Sequence, residues 1–184
     1  SLKQAQPETE VHYLTKARFK DLLQYNRHID QLHLWEDDNK ALLKQLKSLQ
    51  FDHIIDLHRN LRTLRIKLQL RRPGTSFFKA NWAKWKMVRS NQPPKALPHI
   101  VERYGATLGS LGIGLDDQGL ELHYPAELDR WAAAALADFA PNPPLAVVLG
   151  ATHPTKRWLP ERFVELLNQY GQKVLFIGGP DMKE

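Results

Sequence analysis

L-A-V-V-L-G-A-T-H-P-T-K-R-W-L-P-E-R-F, residues 145–163, is the stretch on which the reading of this chain turns. Leu145 to Leu149 is an unbroken apolar run rich in β-branched residues, the pattern of a buried strand. Gly150 to Trp158 reads as a loop of Gly, Thr, Lys and Arg. Pro160 opens a helix to Tyr170, since proline suits a first helical turn. Lys173 to Ile177 is a second strand, ending in Gly178-Gly179-Pro180. Strand, loop, helix and strand in that order predict a parallel pair and the opening of a doubly wound α/β domain.

The loop is also where chemistry is expected. Backbone N–H groups, threonine hydroxyls and the Lys156 ammonium, just ahead of a helix N-terminus, form a setting for an anion, with a diphosphate as the natural guest. It is not a nucleotide-binding P-loop, because no Gly precedes Lys156 and no Ser or Thr follows it. An ordinary βα loop, with threonines capping the helix and a solvated lysine, fits the same residues. Gly178 and Gly179 suit either a close backbone approach to a ligand or a tight turn.

Working back from this stretch, Pro141-Asn142-Pro143-Pro144 neither continues a helix nor sits in a central strand, so residues 141–144 are read as a linker. Residues 1–140 then form a first domain and 145–184 the start of a second. Thr9 to Leu14, Ile29 to Trp35 and Phe51 to Leu57 read as strands. Helices follow each: Lys16 to Tyr25 with Phe19, Leu22 and Leu23 inward, one capped by Asp37 or Asp38 with Leu42, Leu43, Leu46 and Leu49 inward, and Asn60 to Leu70 with Leu61, Leu64 and Leu68 inward. Alternating strands and helices predict a parallel sheet wrapped by helices. Arg72 to Pro98 reads as a loop with a short helix, His99 to Leu111 as a helix stopped by Gly112, Leu120 to Tyr124 as a strand, and Pro125 to Phe139 as an Ala-rich helix.

Composition narrows the function. A chain 42% hydrophobic and 25% charged is a folding chain. With no cysteine it has neither disulfide nor thiolate metal site. No apolar run is long enough to span a bilayer, and the first residues lack a signal-peptide core. The net charge of +6 is concentrated: Leu57 to Val101 holds eleven Lys and Arg and no Asp or Glu, against fifteen basic and twenty acidic residues elsewhere. Such a segment suits an anionic partner, whether phosphorylated sugar, lipid surface or nucleic acid, although a solvated basic face without a partner has the same composition. Asp56, His58, Asn60 and Arg62 fall at the C-terminal end of a predicted parallel strand, where open α/β sheets place ligands. No metal ion is expected there, because strand alternation puts His53 on the opposite face from Asp56, leaving only His58 beside it.

G-A-T-H-P-T-K-R-W-L-P-E-R-F followed by V-L-F-I-G-G-P resembles the opening of the C-terminal, donor-binding domain of the ADP-heptose:lipopolysaccharide heptosyltransferases, glycosyltransferase family 9. F-D-H-I-I-D-L-H-R-N-L-R-T is similar to that family's third N-terminal strand and following loop, and H-I-V-E-R-Y with L-G-I to a later helix. The resemblance implies an α/β fold of the GT-B type, with a Rossmann-like N-terminal domain lacking its first strand and part of a second. It implies transfer of a heptose from ADP-heptose to the lipopolysaccharide inner core by a metal-independent inverting mechanism, with the nucleotide sugar as donor substrate and no cofactor. Lys156 matches a lysine that offsets donor diphosphate charge, Thr152 a diphosphate contact with Thr155 beside it, and Glu184 a ribose-binding carboxylate; Gly178 and Gly179 would approach the nucleoside. His58, Asn60 and Arg62 are the residues expected to bind an anionic core acceptor.

The chain begins S-L-K-Q-A-Q-P, similar to the end of the helix after the family's first strand. The general base, an Asp of a Ser-rich loop, and a later D-T-G-x-x-H segment are therefore expected outside these residues, and the fragment alone is expected to be inactive. The resemblance further implies a cytoplasmic protein, with peripheral contact at the inner membrane as one expectation. Two other classes compete: a nucleic-acid-binding module using the basic segment with Phe77, Phe78, Trp82 and Trp85 as stacking surfaces, and a noncatalytic remnant of the same fold. Neither accounts for Gly150 to Trp158, so nucleic acid is not the expected partner.

Overall fold

The computed structural model describes residues 1–36, 38–81, 85, 89, 90, 98–151 and 153–179. The chain divides into two compact units, Ser1–Tyr124 and the residues from Pro125 onward. The sequence reading instead drew its boundary at residues 141–144. The helix and turn before the proline stretch go with the second unit because they are fastened there: Lys173 Nζ donates to the Asp138 carbonyl and lies 5.7 Å from the centre of the Phe139 ring.

In the first unit the order is α1 (Leu2–Ala5), β1 (His12–Lys16), α2 (Lys20–Leu23), β2 (Gln31–Trp35), α3 (Lys40–Ser48), β3 (Ile54–Asp56), α4 (Leu61–Leu70), β4 (Gly74–Ser76) and α5 (Ile100–Gly105). β1 pairs in parallel with β2 from His12↔Gln31 to Lys16↔Trp35, and β3 pairs in parallel with β4 from Ile54↔Gly74 to Asp56↔Ser76. The core gathers Leu46 of α3 with Ile66 and Leu70 of α4, and Leu14, Trp35, Leu42, Leu43, Phe51 and Ile54 pack against them. Helices therefore cover strands, as the alternation predicted.

Several details differ from the sequence reading. α4 turns Ile66 and Leu70 inward and leaves Leu61, Leu64 and Leu68 exposed, so the expected face is the opposite of the buried one. Leu49, Phe19 and Leu22 are likewise exposed. Leu120 to Tyr124 forms no strand, and its Leu120 and Leu122 lie in solvent. Gly74 to Ser76, read as loop, is a strand that runs so close to β3 that a Cβ on Gly74 would strike the Ile54 carbonyl oxygen. Glycine is required there because backbone meets backbone. The short helix expected between Arg72 and Pro98, the Trp82 stacking surface and the Asp37 cap fall wholly or partly outside the described residues.

α5 runs on as a 3-10 turn over Ala106–Leu111, and Gly112, with φ +70°, ends it as expected. Beneath it Tyr104 meets Phe77 edge-on at 4.7 Å, and the Arg103 guanidinium covers the Phe77 ring and reaches the Phe78 carbonyl. These contacts fix the chain just after β4.

The second unit holds α6 (Glu127–Ala135), β5 (Leu145–Val148), α7 (Pro160–Tyr170) and β6 (Val174–Ile177). β5 and β6 pair in parallel, Leu145↔Val174 through Val148↔Ile177. α7 has Pro160 in its first turn and ends at Gly171, φ +64°. β5 buries Val147 while Val148 is exposed, so this strand is covered on one face instead of both.

Candidate functional site

Two candidate regions lie at the C-terminal ends of parallel strands, one in each unit. In the second unit the register brings Val148 beside Ile177. The loop leaving β5 and the Gly178-Gly179 pair leaving β6 therefore start from the same end of the sheet, where α/β proteins bind ligands. Within the loop, Pro154–Lys156 makes one 3-10 turn, closed by the Lys156 amide on the His153 carbonyl at 2.9 Å. Thr155 and Lys156 are exposed, and the Lys156 ammonium has no hydrogen-bond or ion-pair partner among the described residues.

Arg157, which the sequence reading passed over, turns back and donates from Nε to the Ala151 carbonyl at 2.8 Å, clasping the two ends of the loop. Trp158 stands edge-on to Phe163 of α7 at 4.8 Å and so ties the loop exit to its helix. The helix begins with an N-cap, Leu159, that supplies no side-chain bond. Pro160 brings no N–H to its first turn and the Glu161 carboxylate lies within that turn, so the cation of this region is Lys156 and not the helix end. Thr152 and Glu184, both expected at the donor site, lie outside the described residues; Gly178 and Gly179 are exposed.

In the first unit β3 ends at Asp56, whose buried carboxylate accepts from the amides of His58 at 3.0 Å and Arg59 at 2.7 Å. Its carbonyl accepts from the Phe77 amide at 2.9 Å. Asp56 thus shapes the turn. Asn60 is the N-cap of α4: its side chain accepts from the Thr63 amide at 2.9 Å, while the Thr63 hydroxyl oxygen accepts from the Asn60 amide at 3.0 Å. This reciprocal capping box occupies the group expected to meet an acceptor. His58 and Arg62 are exposed, and among the described residues their side chains make no polar contact.

Beside this turn is a cavity of about 310 Å³ lined by Arg59, Phe78, Lys79, Ala80 and Asn81. It offers two cations, an amide and an aromatic ring with no carboxylate, a composition suited to an anionic sugar. Arg59, in the left-handed region at φ +46°, reaches the Phe77 carbonyl from Nη1 at 3.4 Å. Lys79 and Asn81 were missed because β4, the strand that delivers them, was not recognised. The expected trio is therefore divided: His58 and Arg62 flank this cavity in sequence, and Asn60 holds the helix.

The family model described as glycosyltransferase family 9 (heptosyltransferase) matches residues 40–184. The chain belongs to this family. Among solved structures it is similar to the glycosyl transferase family 9 protein from Veillonella parvula DSM 2008, with a TM-score of 0.70 and 22% identity over 98% of this chain and 56% of that one. It is also similar to ADP-heptose lps heptosyltransferase II from E. coli, with a TM-score of 0.69 and 19% identity over 98% of this chain and 58% of that one. This family 9 chain thus spans somewhat more than half the length of either structure. No curated protein matches it. The likeness bears out the expected fold class, an α/β chain of the GT-B type with parallel strands.

Proposed function

We propose that this family 9 chain carries part of a heptosyltransferase that moves a heptose from ADP-heptose to the inner core of lipopolysaccharide. The observation that supports a donor site is the β5–β6 register, which sets the lysine-bearing loop and Gly178-Gly179 at one end of the same strand pair. Lys156 carries an exposed ammonium on a turn clasped by Arg157. In the complete protein an acceptor hydroxyl attacks the anomeric carbon, the bond from that carbon to the β-phosphate oxygen breaks, ADP leaves with the electron pair, and a base takes the hydroxyl proton. Charge grows on the β-phosphate as the bond opens, so Lys156 stabilises the transition state more than the ground state. Thr152, Thr155 and Glu184 complete the proposed donor contacts. No metal ion or cofactor enters this scheme.

The acceptor, an anionic core sugar, is proposed to meet His58, Arg62 and the Arg59–Lys79 cavity, with Asn60 setting the helix that carries Arg62. A groove between α3 and α4 lined by Lys40, Lys44, Lys47 and Arg71 with Leu43 and Leu68 favours peripheral contact with an anionic inner-membrane surface on the cytoplasmic side.

ADP titration into the purified chain, followed by calorimetry and by melting temperature, tests the donor site. ADP is expected to bind and to raise the melting temperature, and Lys156→Ala to weaken binding about 10–100-fold, the scale of one charge-assisted hydrogen bond. Absence of any ADP response, or equal affinity in Lys156→Ala, would overturn the donor assignment. In a full-length protein the same substitution should slow ADP release from ADP-heptose in the presence of acceptor.

A further inference from the structure

We infer that His28, Glu121 and His123 form a binding site for a divalent transition-metal ion of the zinc class, tying the stretch after α5 to the turn before β2. His28 lies between α2 and β2, and Glu121 is 93 positions away in sequence. The fold nevertheless brings them together. His28 Nε2 is 3.3 Å and His123 Nε2 2.9 Å from the same oxygen, Glu121 Oε2, and the three potential ligand atoms all lie within 4.8 Å of one another. The imidazoles stand edge-on, centroids 5.7 Å apart at 76°. An ion held ~2.0–2.1 Å from imidazole nitrogens in a tetrahedron sets its ligands roughly 3.3 Å apart, a spacing reached by small side-chain rotations.

A second observation points the same way. His123 Nε2 is buried yet makes no hydrogen bond among the described residues; the nearby carboxylate oxygen lies in contact but off the direction a ring N–H would take. A buried ring nitrogen without a hydrogen bond is uncommon, and coordination would satisfy it. Glu121 and His123, two apart in a non-helical stretch, share one side, while Leu120, Leu122 and Tyr124 between and around them are exposed. Both imidazoles approach one oxygen of the Glu121 carboxylate. Arg27, 3.8 Å from the same carboxylate, opposes a cation, but its side chain is largely exposed and free to swing outward.

Two imidazoles and one carboxylate are borderline ligands suited to zinc, cobalt or nickel, with a fourth position for water. The ion would be structural, joining two stretches of the first unit. A reading without metal is a histidine–carboxylate–histidine ion pair that needs no ion.

Zinc chloride titrated calorimetrically into the chelator-treated 184-residue chain decides between them, with cobalt absorption as a report on imidazole coordination. A single saturable site is expected, together with a rise in melting temperature on zinc addition. His28→Gln and Glu121→Gln should each weaken zinc by more than the ~10–100-fold that follows loss of even an outer-sphere partner. His28→Gln carries the test should Glu121→Gln fail to fold, since His28 is exposed in a turn. Absence of saturable zinc binding, or unchanged affinity in both His28→Gln and Glu121→Gln, would overturn the site.

Discussion

At Asn60 a single amide serves the backbone. Its side chain and that of Thr63 each accept from the other's main-chain N–H, satisfying two donors at the start of α4. Asn60→Ala is expected to cost about 1 kcal/mol, read as a lower urea midpoint at unchanged slope. From sequence, an Asn after a strand looked like an acceptor contact, because the residues that begin helices are the same polar residues that bind ligands. Lys156 stood out for the opposite reason, because a lysine in a short loop between a strand and a helix has few structural duties; the structure leaves its ammonium exposed, and its part in donor binding is a proposal. Arg157 was not legible, since its role depends on folding back to a carbonyl six positions away. His28 and Glu121 escaped notice because their meeting depends on tertiary structure alone.

Among the elements, α4 shows where periodicity runs out. Leu61, Leu64 and Leu68 recur at helical spacing, and so do Ile66 and Leu70 four apart, on a different face. Either set satisfies the pattern, and only the partner helix α3, through Leu46, selects the second. Leu46→Ala should therefore lower stability by about 2–5 kcal/mol, whereas Leu61→Ala and Leu68→Ala should stay within about 0.5 kcal/mol of the parent; chemical denaturation of the three variants checks the contrast. Strands β1 and β2 were legible to within a few residues from their alternation, and β5 and β6 from their apolar runs. β4 was not: Gly74-Thr75-Ser76 has no apolar pattern, and its pairing rests on close backbone approach to Ile54.

For the molecule as a whole, family and fold class were readable because one uncommon stretch, Gly150 to Trp158, and the strand–helix alternation point the same way; the partition into units was not, because the contacts of Lys173 with Asp138 and Phe139 span distant positions. Stability of the first unit should depend on pH through His33, buried on β2 with its Nε2 2.9 Å from His12 Nδ1. Burial, and then the neighbouring His12, push the His33 pKa below its ordinary 6.5. The unfolded chain then binds the proton more readily, so the contribution is complete above pH about 6.5 and fades as the solution is acidified below it. Melting temperature should fall from pH 7 to pH 5, and His33→Gln should flatten that slope; an equal slope in the variant would exclude His33 as its source.

The three separate strand pairs carry a last consequence. Among the described residues every strand has one neighbour only, so each presents a second flank of amides and carbonyls with no ladder to join. Such flanks are templates that recruit any extended polypeptide of matching length. A chain built this way should be kept dilute, since at high concentration its strands would complete their ladders on one another.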